Sequence, residues 1–203
     1  MGGKDYIIMQ TLKTFLEHHI GIDEKEWFLL EKQLYLKSYK KGEFISLPDD
    51  IWTDVLYINK GIIRSYIINQ QGKDFTRQFY FNTDESNVSN LFVLDLTSLI
   101  KQIPSNRGFE ALTDTELICF SRSDLYHLYD TYEKWSYIGR KMAELAYIDM
   151  DNLYYSILTQ TPKERYLELQ RSMSTLLNQI PQYYIASYLG ISPVSLSRIR
   201  QKL

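Results

Sequence analysis

The spacing of hydrophobic positions divides this chain of 203 residues into successive segments of different structure. Between residues 6 and 33, apolar side chains recur at three- and four-residue steps with an interruption at residues 21–26, which predicts two helices. Asp23, followed three residues later by Glu26, is a typical helix N-cap with its capping-box partner. From residue 34 to residue 121 the period changes to two, and glycine turns separate the apolar runs. This spacing predicts an antiparallel jelly-roll barrel of short strands.

Two further features of the barrel region add to this prediction. Residues 86–100 do not keep the period of two, and we predict a short helix there. Cys119 is the single cysteine of the chain. It excludes an intrachain disulfide framework and an iron–sulfur cluster held by four cysteines of one chain. We expect it inside a strand as a small buried hydrophobic side chain.

Helical spacing returns from residue 124 to about residue 158, which predicts one long helix. Its apolar side chains recur at three- and four-residue steps: Trp135, Ile138, Met142, Leu145, Ile148, Leu153 and Ile157. Asp149 and Asn152 interrupt this stripe, which argues against an unbroken coiled coil. The stripe fits either a dimerisation helix, which we favour, with Met142, Leu145 and Ile148 at the contact, or a helix buried within its own subunit.

The residues after the long helix predict a separate small helical domain. Thr161 is a suitable N-cap and Pro162 a suitable first helical residue for a helix extending to about residue 177. We therefore place the domain boundary near residue 160, with a barrel and long helix at residues 1–159 and a C-terminal domain at residues 160–203.

The last twenty-two residues predict a helix-turn-helix. Gly190 accepts the positive φ that a sharp turn requires, Ser192 offers an N-cap hydroxyl, and Pro193 suits the first helical position. Ala186 is small enough to let the second helix cross closely. The second helix of such a unit normally lies in the DNA major groove. An ordinary helical hairpin that closes the core is the alternative.

The exposed face of the second helix and its cap supply the predicted DNA contacts, which are Ser192, Val194, Ser195, Ser197, Arg198 and Lys202. Arg198 is the best single candidate for direct readout, because arginine can bond a guanine in two places. The alternative for Arg198 is a phosphate contact, which positions the protein without reading sequence.

The charge distribution supports the C-terminal segment as the part that contacts DNA. Residues 160–203 carry six basic and two acidic side chains, a net charge of +4, whereas the whole chain has a net charge of −2. A basic C-terminal segment on an acidic body is typical of a localised contact with DNA phosphates. The sequence has no apolar run long enough to span a membrane and no apolar core typical of a secretion signal, so we expect a cytoplasmic protein.

The order of these parts resembles the Crp–Fnr family of bacterial transcription regulators over nearly the whole chain. The segments that carry the resemblance are K-K-G-E-F (40–44), L-Y-I-N-K-G-I-I-R (56–64) with N-Q-Q-G-K (69–73), E-A-L-T-D-T-E-L (110–117) and Y-I-A-S-Y-L-G-I-S-P-V-S-L-S-R-I (184–199). The resemblance implies an α+β protein with an N-terminal cyclic-nucleotide-binding-like jelly-roll barrel. It also implies a homodimer on double-stranded DNA, in which a small-molecule effector in the barrel changes the spacing of two recognition helices.

The sequence departs from the family pattern at three points, and each departure limits which properties of the family we expect in this chain. Val194 occupies the position where the recognition helix often has a glutamate, so the usual half-site is not expected. Ser105 falls where cyclic-nucleotide-binding relatives have the arginine that grips the phosphate, and Arg107 lies two positions along, so we predict no binding of cyclic AMP. The sequence also lacks the C-terminal wing of many relatives after Leu203, so some backbone contacts are expected to be missing.

Two other classes of function compete with a regulator. A cupin-like enzyme would share the jelly roll and hold a metal with barrel histidines and a carboxylate, yet His18, His19 and His127 all lie outside the predicted strands. We therefore expect no enzyme activity, no metal and no cofactor. An interaction protein that has lost DNA binding is the third class, and Val194 and the missing wing leave room for it.

Overall fold

The computed structural model describes residues 3–202, with side chains from Ile7 onward. Residues 1, 2 and 203, which the predicted domain bounds include, lie outside the described residues. The helices are α1 (Gly3–Ile20), α2 (Glu24–Glu31), α3 (Val88–Leu91), α4 (Leu96–Lys101), α5 (Arg122–Thr131), α6 (Glu133–Thr159), α7 (Pro162–Ser172), α8 (Gln182–Leu189) and α9 (Pro193–Gln201). The strands are β1 (Tyr35–Tyr39), β2 (Phe44–Ser46), β3 (Asp54–Lys60), β4 (Ile62–Ile68), β5 (Asp74–Phe81), β6 (Phe92–Val93), β7 (Gly108–Ala111) and β8 (Thr115–Ser121).

The strands form two four-stranded antiparallel sheets, as a jelly roll requires. One sheet has the order β1-β8-β3-β6 and the other the order β2-β7-β4-β5. Their facing sides enclose a buried core that includes Ile58, Ile63, Phe109 and Cys119. The predicted barrel and the buried position of Cys119 are therefore confirmed. Burial raises the pKa of the Cys119 thiol to about 12.

The first sheet is covered on its outer face by the N-terminal helices and α6. Side chains of β3 and β8 alternate between its two faces, because successive residues of a strand point in opposite directions. Leu56 and Cys119, which pair across the strands, face the barrel interior, whereas Tyr57 and Ile118 face the helices. The capping box predicted at the start of α2 is present, since Asp23 accepts from the Glu26 backbone and Glu26 accepts from the Asp23 backbone.

The second sheet carries the C-terminal helices on its outer face. Ile62, Phe79 and Phe81 of β4 and β5 belong to one apolar cluster with buried side chains of α7, α8 and α9. The C-terminal domain and the barrel thus share a continuous core.

The segment predicted as one long helix from residue 124 is two helices, so that prediction is wrong at its start. Tyr132 is extended between α5 and α6, with φ −130° and ψ 113°. The break lets α5 fold back on α6, where the Tyr129 ring packs over Gly139 so closely that a Cβ there would lie 2.5 Å from the hydroxyl. Leu128 and Trp135 then enter the same apolar cluster.

Two further segments differ in detail from the prediction. The helix that begins at Pro162 ends at Ser172, and a 3₁₀ turn at Leu177–Gln179 leads into α8. Residues 86–100 hold not one short helix but α3 and most of α4, separated by the short strand β6. Among residues 3–202, no helix is both long and apolar enough to cross a membrane.

Candidate nucleic-acid interface

The turn between α8 and α9 has the geometry that the sequence predicts. Gly190 takes φ 71° and ψ 28° as the C-cap of α8, and its N–H donates to the carbonyls of Ala186 and Ser187. The next N–H, of Ile191, donates to the Ala186 carbonyl at 3.0 Å. A side chain at Gly190 would be strained in this left-handed conformation. The turn therefore depends on this glycine.

The start of α9 is fixed by its cap. Ser192 is extended, its Oγ accepts from the Ser195 N–H at 3.1 Å, and Pro193 occupies the first helical position. Leu196 is fully buried among Ile185 and Leu189 of α8. The two helices are thus held at a fixed crossing by their own apolar contact.

The outer face of α9 presents polar and basic side chains to solvent. Val194, Ser197, Arg198 and Gln201 recur at three- and four-residue steps, so they share one face of the helix, and all four are exposed. Within the described residues no acidic side chain pairs with Arg198. This face can therefore meet an anionic partner without first breaking a contact.

One residue of the predicted contact set is partly covered, and one basic residue outside that set is exposed on the same helix. Ser195 is half-buried, and its hydroxyl is 2.9 Å from that of Ser192, so one of the two hydroxyls donates to the other. Arg200, absent from the predicted set, is exposed in the last turn of α9, with Lys202 exposed just after it. In the sequence, basic residues at the alternate positions 198, 200 and 202 are the signal that could have indicated Arg200.

A buried cluster of charged and aromatic side chains fixes α8 on the barrel. Arg64, which is 3% exposed, donates from Nε to Glu110 at 2.8 Å and from Nη2 to Asp74 at 2.7 Å. Its guanidinium carbon lies 3.7 Å from the centroid of the Tyr184 ring of α8. Ser187 of α8 accepts from the Thr76 N–H at 3.0 Å. We call Arg64, Asp74, Glu110 and Tyr184 the junction cluster.

The electrostatics of the junction cluster favour the ion pairs. Burial acts to lower the pKa of Arg64, but the hydrogen bonds from its guanidinium to Asp74 and Glu110 outweigh burial and raise it. Burial also raises the pKa of Tyr184, whose hydroxyl donates to Glu110 at 3.3 Å. The cluster therefore stays charged at the arginine and neutral at the tyrosine near neutral pH.

The long helix α6 has two different faces. Met142 and Leu145 are half-buried and pack against the core of their own subunit, because they lie on the side that faces the N-terminal helices. That they also form a dimer contact stays a prediction, and Ile148 beside them is exposed. The opposite face of the C-terminal half is exposed and mainly apolar, with Asp151 as an acidic residue within it; its large apolar side chains are Tyr147, Ile148, Met150, Tyr154, Tyr155, Ile157 and Leu158.

The predicted effector residues lie in a closed polar network. Ser105 is buried, and its hydroxyl donates to the buried carboxylate of Asp95 at 2.7 Å. The same hydroxyl accepts from the Arg107 N–H at 3.0 Å, and Arg107 Nε lies 3.8 Å from Asp95. The structure thus brings Ser105 and Arg107 together, with a carboxylate between them.

A second arginine, Arg77, lies near this network. The extra residue of a bulge in β5 is Arg77, since Ser65 pairs with Gln78 and Tyr66 with Thr76. Burial, and then the positive charge of Arg107, lower the pKa of Arg77. Its Nη2 contacts the Met150 sulfur of α6 at 3.7 Å, which links the barrel to the long helix.

The histidines do not form a metal site. His18 and His19 belong to α1 and His127 to α5, so none lies on a barrel strand. Within residues 3–202 no group of three histidine, cysteine, aspartate or glutamate side chains is placed to hold a metal ion.

Comparison with solved structures identifies chains with the same fold. The chain is similar to FixK2 from Bradyrhizobium japonicum, with 22% identity, 84% of each chain covered and a TM-score of 0.66. It is similar to the catabolite activator protein of Thermus thermophilus, with 18% identity, 93% of this chain and 85% of that chain covered and a TM-score of 0.55. It is also similar to CLP, described as a c-di-GMP-responsive global regulator of Xanthomonas campestris, with 13% identity, 89% and 91% covered and a TM-score of 0.62.

These similarities establish the fold, which is that of the solved Crp–Fnr-like structures. No family model matches the chain. No curated protein matches it in sequence.

Proposed function

We propose that this protein is a dimeric, sequence-specific DNA-binding regulator of transcription, and not an enzyme. The observation that carries the proposal is the geometry of α8 and α9. A buried apolar seam at Leu196 fixes the two helices, and the opposite face of α9 exposes unpaired polar and basic side chains. A helix presented in this way fits the DNA major groove. Structures with the same fold are described as regulators, which supports the proposal.

The charge distribution supports DNA as the partner. The net charge of +4 at residues 160–203 contrasts with the acidic remainder of the chain. Basic side chains release counterions from DNA phosphates, which supplies affinity without sequence preference. We assign phosphate contacts to Arg200 and Lys202 and base contacts to Val194, Ser197 and Arg198. Val194 can contact a thymine methyl group, but it cannot accept from a cytosine amino group as a glutamate would.

The exposed face of α6 supports a homodimer. Tyr147, Met150, Tyr154 and Ile157 follow a seven-residue repeat, which is the spacing of a two-helix seam. An exposed apolar face of this extent typically marks a protein–protein contact. Pairing of two copies along this face would place the two recognition helices about one turn of DNA, roughly 34 Å, apart.

We place a small-molecule effector in the barrel near Ser105 and Arg107, and we propose that cyclic AMP is not that effector. A serine hydroxyl supplies neither the charge nor the paired bonds of a guanidinium. The Ser105 hydroxyl is already bonded, and the buried Asp95 carboxylate beside it would repel a phosphate. Calorimetry with cyclic AMP at millimolar concentration should therefore show no saturable binding. Saturable binding that Arg107→Ala abolishes would overturn this assignment.

Gel-shift titration with the DNA upstream of the protein's own gene tests the proposed function. We expect a discrete complex that survives competition by random DNA, and dimer stoichiometry by sedimentation. Binding that random DNA competes equally well would contradict sequence specificity, and no binding to either DNA would leave only an interaction protein with the same fold.

A further inference from the structure

Arg165 of α7 reaches the turn that separates α8 from α9. Its Nη2 donates to the carbonyl of Leu189, the last residue of α8, at 2.7 Å. The carbonyls of a helix's last turn have no partner within the helix. Those of Ala186 and Ser187 accept from N–H groups of the turn. Pro193, four residues beyond Leu189, has no N–H to donate, so among the described residues the Leu189 carbonyl accepts from Arg165 alone.

The bond from Arg165 is suited to hold the turn in place. Its guanidinium is half-buried, and its Nε is closed off without a hydrogen-bond partner among the described residues, so the side chain is held within the protein. A hydrogen bond from a charged donor is stronger than a neutral one. A cation at the C-terminal end of a helix also interacts favourably with the helix dipole. The bond lies next to Gly190, whose positive φ makes the turn.

The packing of α7 on α8 does not supply this function by itself. Tyr166 and Leu169 of α7 share a buried apolar cluster with Ile185 and Leu189 of α8. The burial of apolar surface is non-directional, so it opposes separation of the two helices more than sliding of one along the other. The hydrogen bond from Arg165 is directional and acts at one point. It therefore fixes the register of α8 on α7.

The position of α7 in turn follows the end of α6. Only Gln160 and Thr161 lie between the two helices. The Thr161 N–H donates to the Glu164 carboxylate at 2.7 Å, and the Thr161 hydroxyl accepts from the Glu164 N–H at 3.3 Å. The Ser156 hydroxyl donates to the side-chain oxygen of Gln160 at 2.8 Å. A connection this short, with its cap in place, leaves α7 little freedom relative to α6.

We propose that Arg165 is a positioning residue for DNA recognition, which fixes the turn before α9 relative to α6 and thereby sets the separation of the two recognition helices in the dimer. Arg165 itself contacts no DNA in this arrangement. The role in recognition rests on the proposed function, whereas the effect of the bond on the turn does not, so the two are tested separately.

Hydrogen exchange of the full chain without DNA tests the effect on the turn. Arg165→Met keeps an unbranched apolar side chain and removes the donor. We expect the amides of residues 189–196 to exchange about tenfold faster in this variant, the equivalent of one charge-assisted bond, and those of β3 and β8 to keep their rates. Arg165→Lys, which retains a charge and a donor, should restore most of the protection. Lys163→Met, at an exposed position of the same helix, is the matched control and should change nothing.

Binding to symmetric duplexes that differ in half-site separation tests the role in recognition. For the unmodified protein, one base pair inserted at the centre of the preferred site should weaken binding about tenfold or more, as a lost base contact does. Arg165→Met should reduce this penalty to less than about threefold and keep the base preference within each half-site. Lys163→Met should keep the full penalty, and Arg165→Lys should recover most of it.

The salt dependence of the same binding separates positioning from a direct DNA contact. Loss of a phosphate contact lowers the slope of log Kd against log salt concentration by about one. Arg165→Met should leave this slope unchanged. A loss of stability alone would not remove the spacing penalty while the protein stays folded and bound.

The proposal is overturned if Arg165→Met keeps the full spacing penalty, if its salt slope falls by about one, or if its exchange rises equally in β3 and β8. If Arg165→Met does not fold, Arg165→Lys decides, because a penalty and exchange rates identical to those of the unmodified protein would show that the guanidinium is not needed. Absence of DNA binding by the unmodified protein would refute the regulator and with it the role in recognition, while the exchange experiment would still show whether Arg165 holds the turn.

Discussion

The junction cluster and the outer face of α9 carry arginines in opposite states. Arg64 at the junction is buried, paired with two carboxylates and stacked on Tyr184. Arg198 on α9 is exposed and has no partner among the described residues. A charge whose partners all lie within the chain contributes to structure. A charge left free on a rigid helix contributes to binding, because the helix and not the charge holds its position.

Arg64→Ala should produce the largest effect, a loss of about 3 kcal/mol in the free energy of unfolding, because it leaves the carboxylates of Asp74 and Glu110 without their counterion. Urea denaturation followed by circular dichroism measures it. Arg200→Ala is the matched control on α9 and should change stability by less than about 0.5 kcal/mol. Equal stability of Arg64→Ala and Arg200→Ala would contradict the different roles assigned to the buried and the exposed arginine.

Arg198→Ala should reverse this pattern, with unchanged stability and weaker DNA binding. If Arg198 reads a base, the loss is about 1–3 kcal/mol on the specific site and little on random duplex. Fluorescence anisotropy with both DNAs measures it. An equal loss on both would show a phosphate contact and contradict the readout assignment.

Tyr184→Phe should have a smaller effect at the junction. It keeps the ring over Arg64 and removes the hydroxyl that donates to Glu110 at 3.3 Å. We expect a loss of about 1 kcal/mol in unfolding free energy, the usual contribution of one hydrogen bond. Tyr155→Phe, which removes an exposed hydroxyl of α6 away from the junction cluster, is the control. A neutral Tyr184→Phe would mean that the hydrogen bond to Glu110 contributes nothing to stability.

Alkaline pH should weaken the junction slightly. The pKa of Tyr184 in the folded protein lies above its ordinary 10.0, chiefly because of burial. Its contribution is therefore fully present below about pH 10 and is lost as the pH rises above this value. The thermal midpoint of the unmodified protein should fall between pH 9 and 11 more steeply than that of Tyr184→Phe. Parallel curves would rule out ionisation of Tyr184 as a cause.

The sequence predicted the α9 region well because its signals are local. Gly190, Ser192 and Pro193 each impose a backbone conformation at their own position, and all three are observed. The orientation of the Ser195 hydroxyl was missed because it depends on a side-chain rotamer. The jelly roll could also be predicted, because period-two alternation and glycine turns are likewise local signals.

The junction cluster could not be predicted because its members are far apart in the chain. Arg64 and Glu110 are separated by 46 positions, and Tyr184 lies 74 positions beyond Glu110. The break at Tyr132 has no glycine or proline to mark it and follows from the packing of Tyr129 on Gly139. Likewise, the three- and four-residue spacing of apolar residues in α6 does not indicate which side of the helix packs against its own subunit and which side stays exposed.

Selection of binding sites from a random-sequence duplex library with the full chain tests the central claim most directly. The account predicts enrichment of a palindrome with half-site centres about 10 bp apart, bound by two copies, because α9 would enter successive major grooves on one side of DNA. The same selection with Arg198→Ala should lose preference at one position of each half-site. No enrichment, with the protein folded by circular dichroism, would contradict the assignment of a sequence-specific regulator.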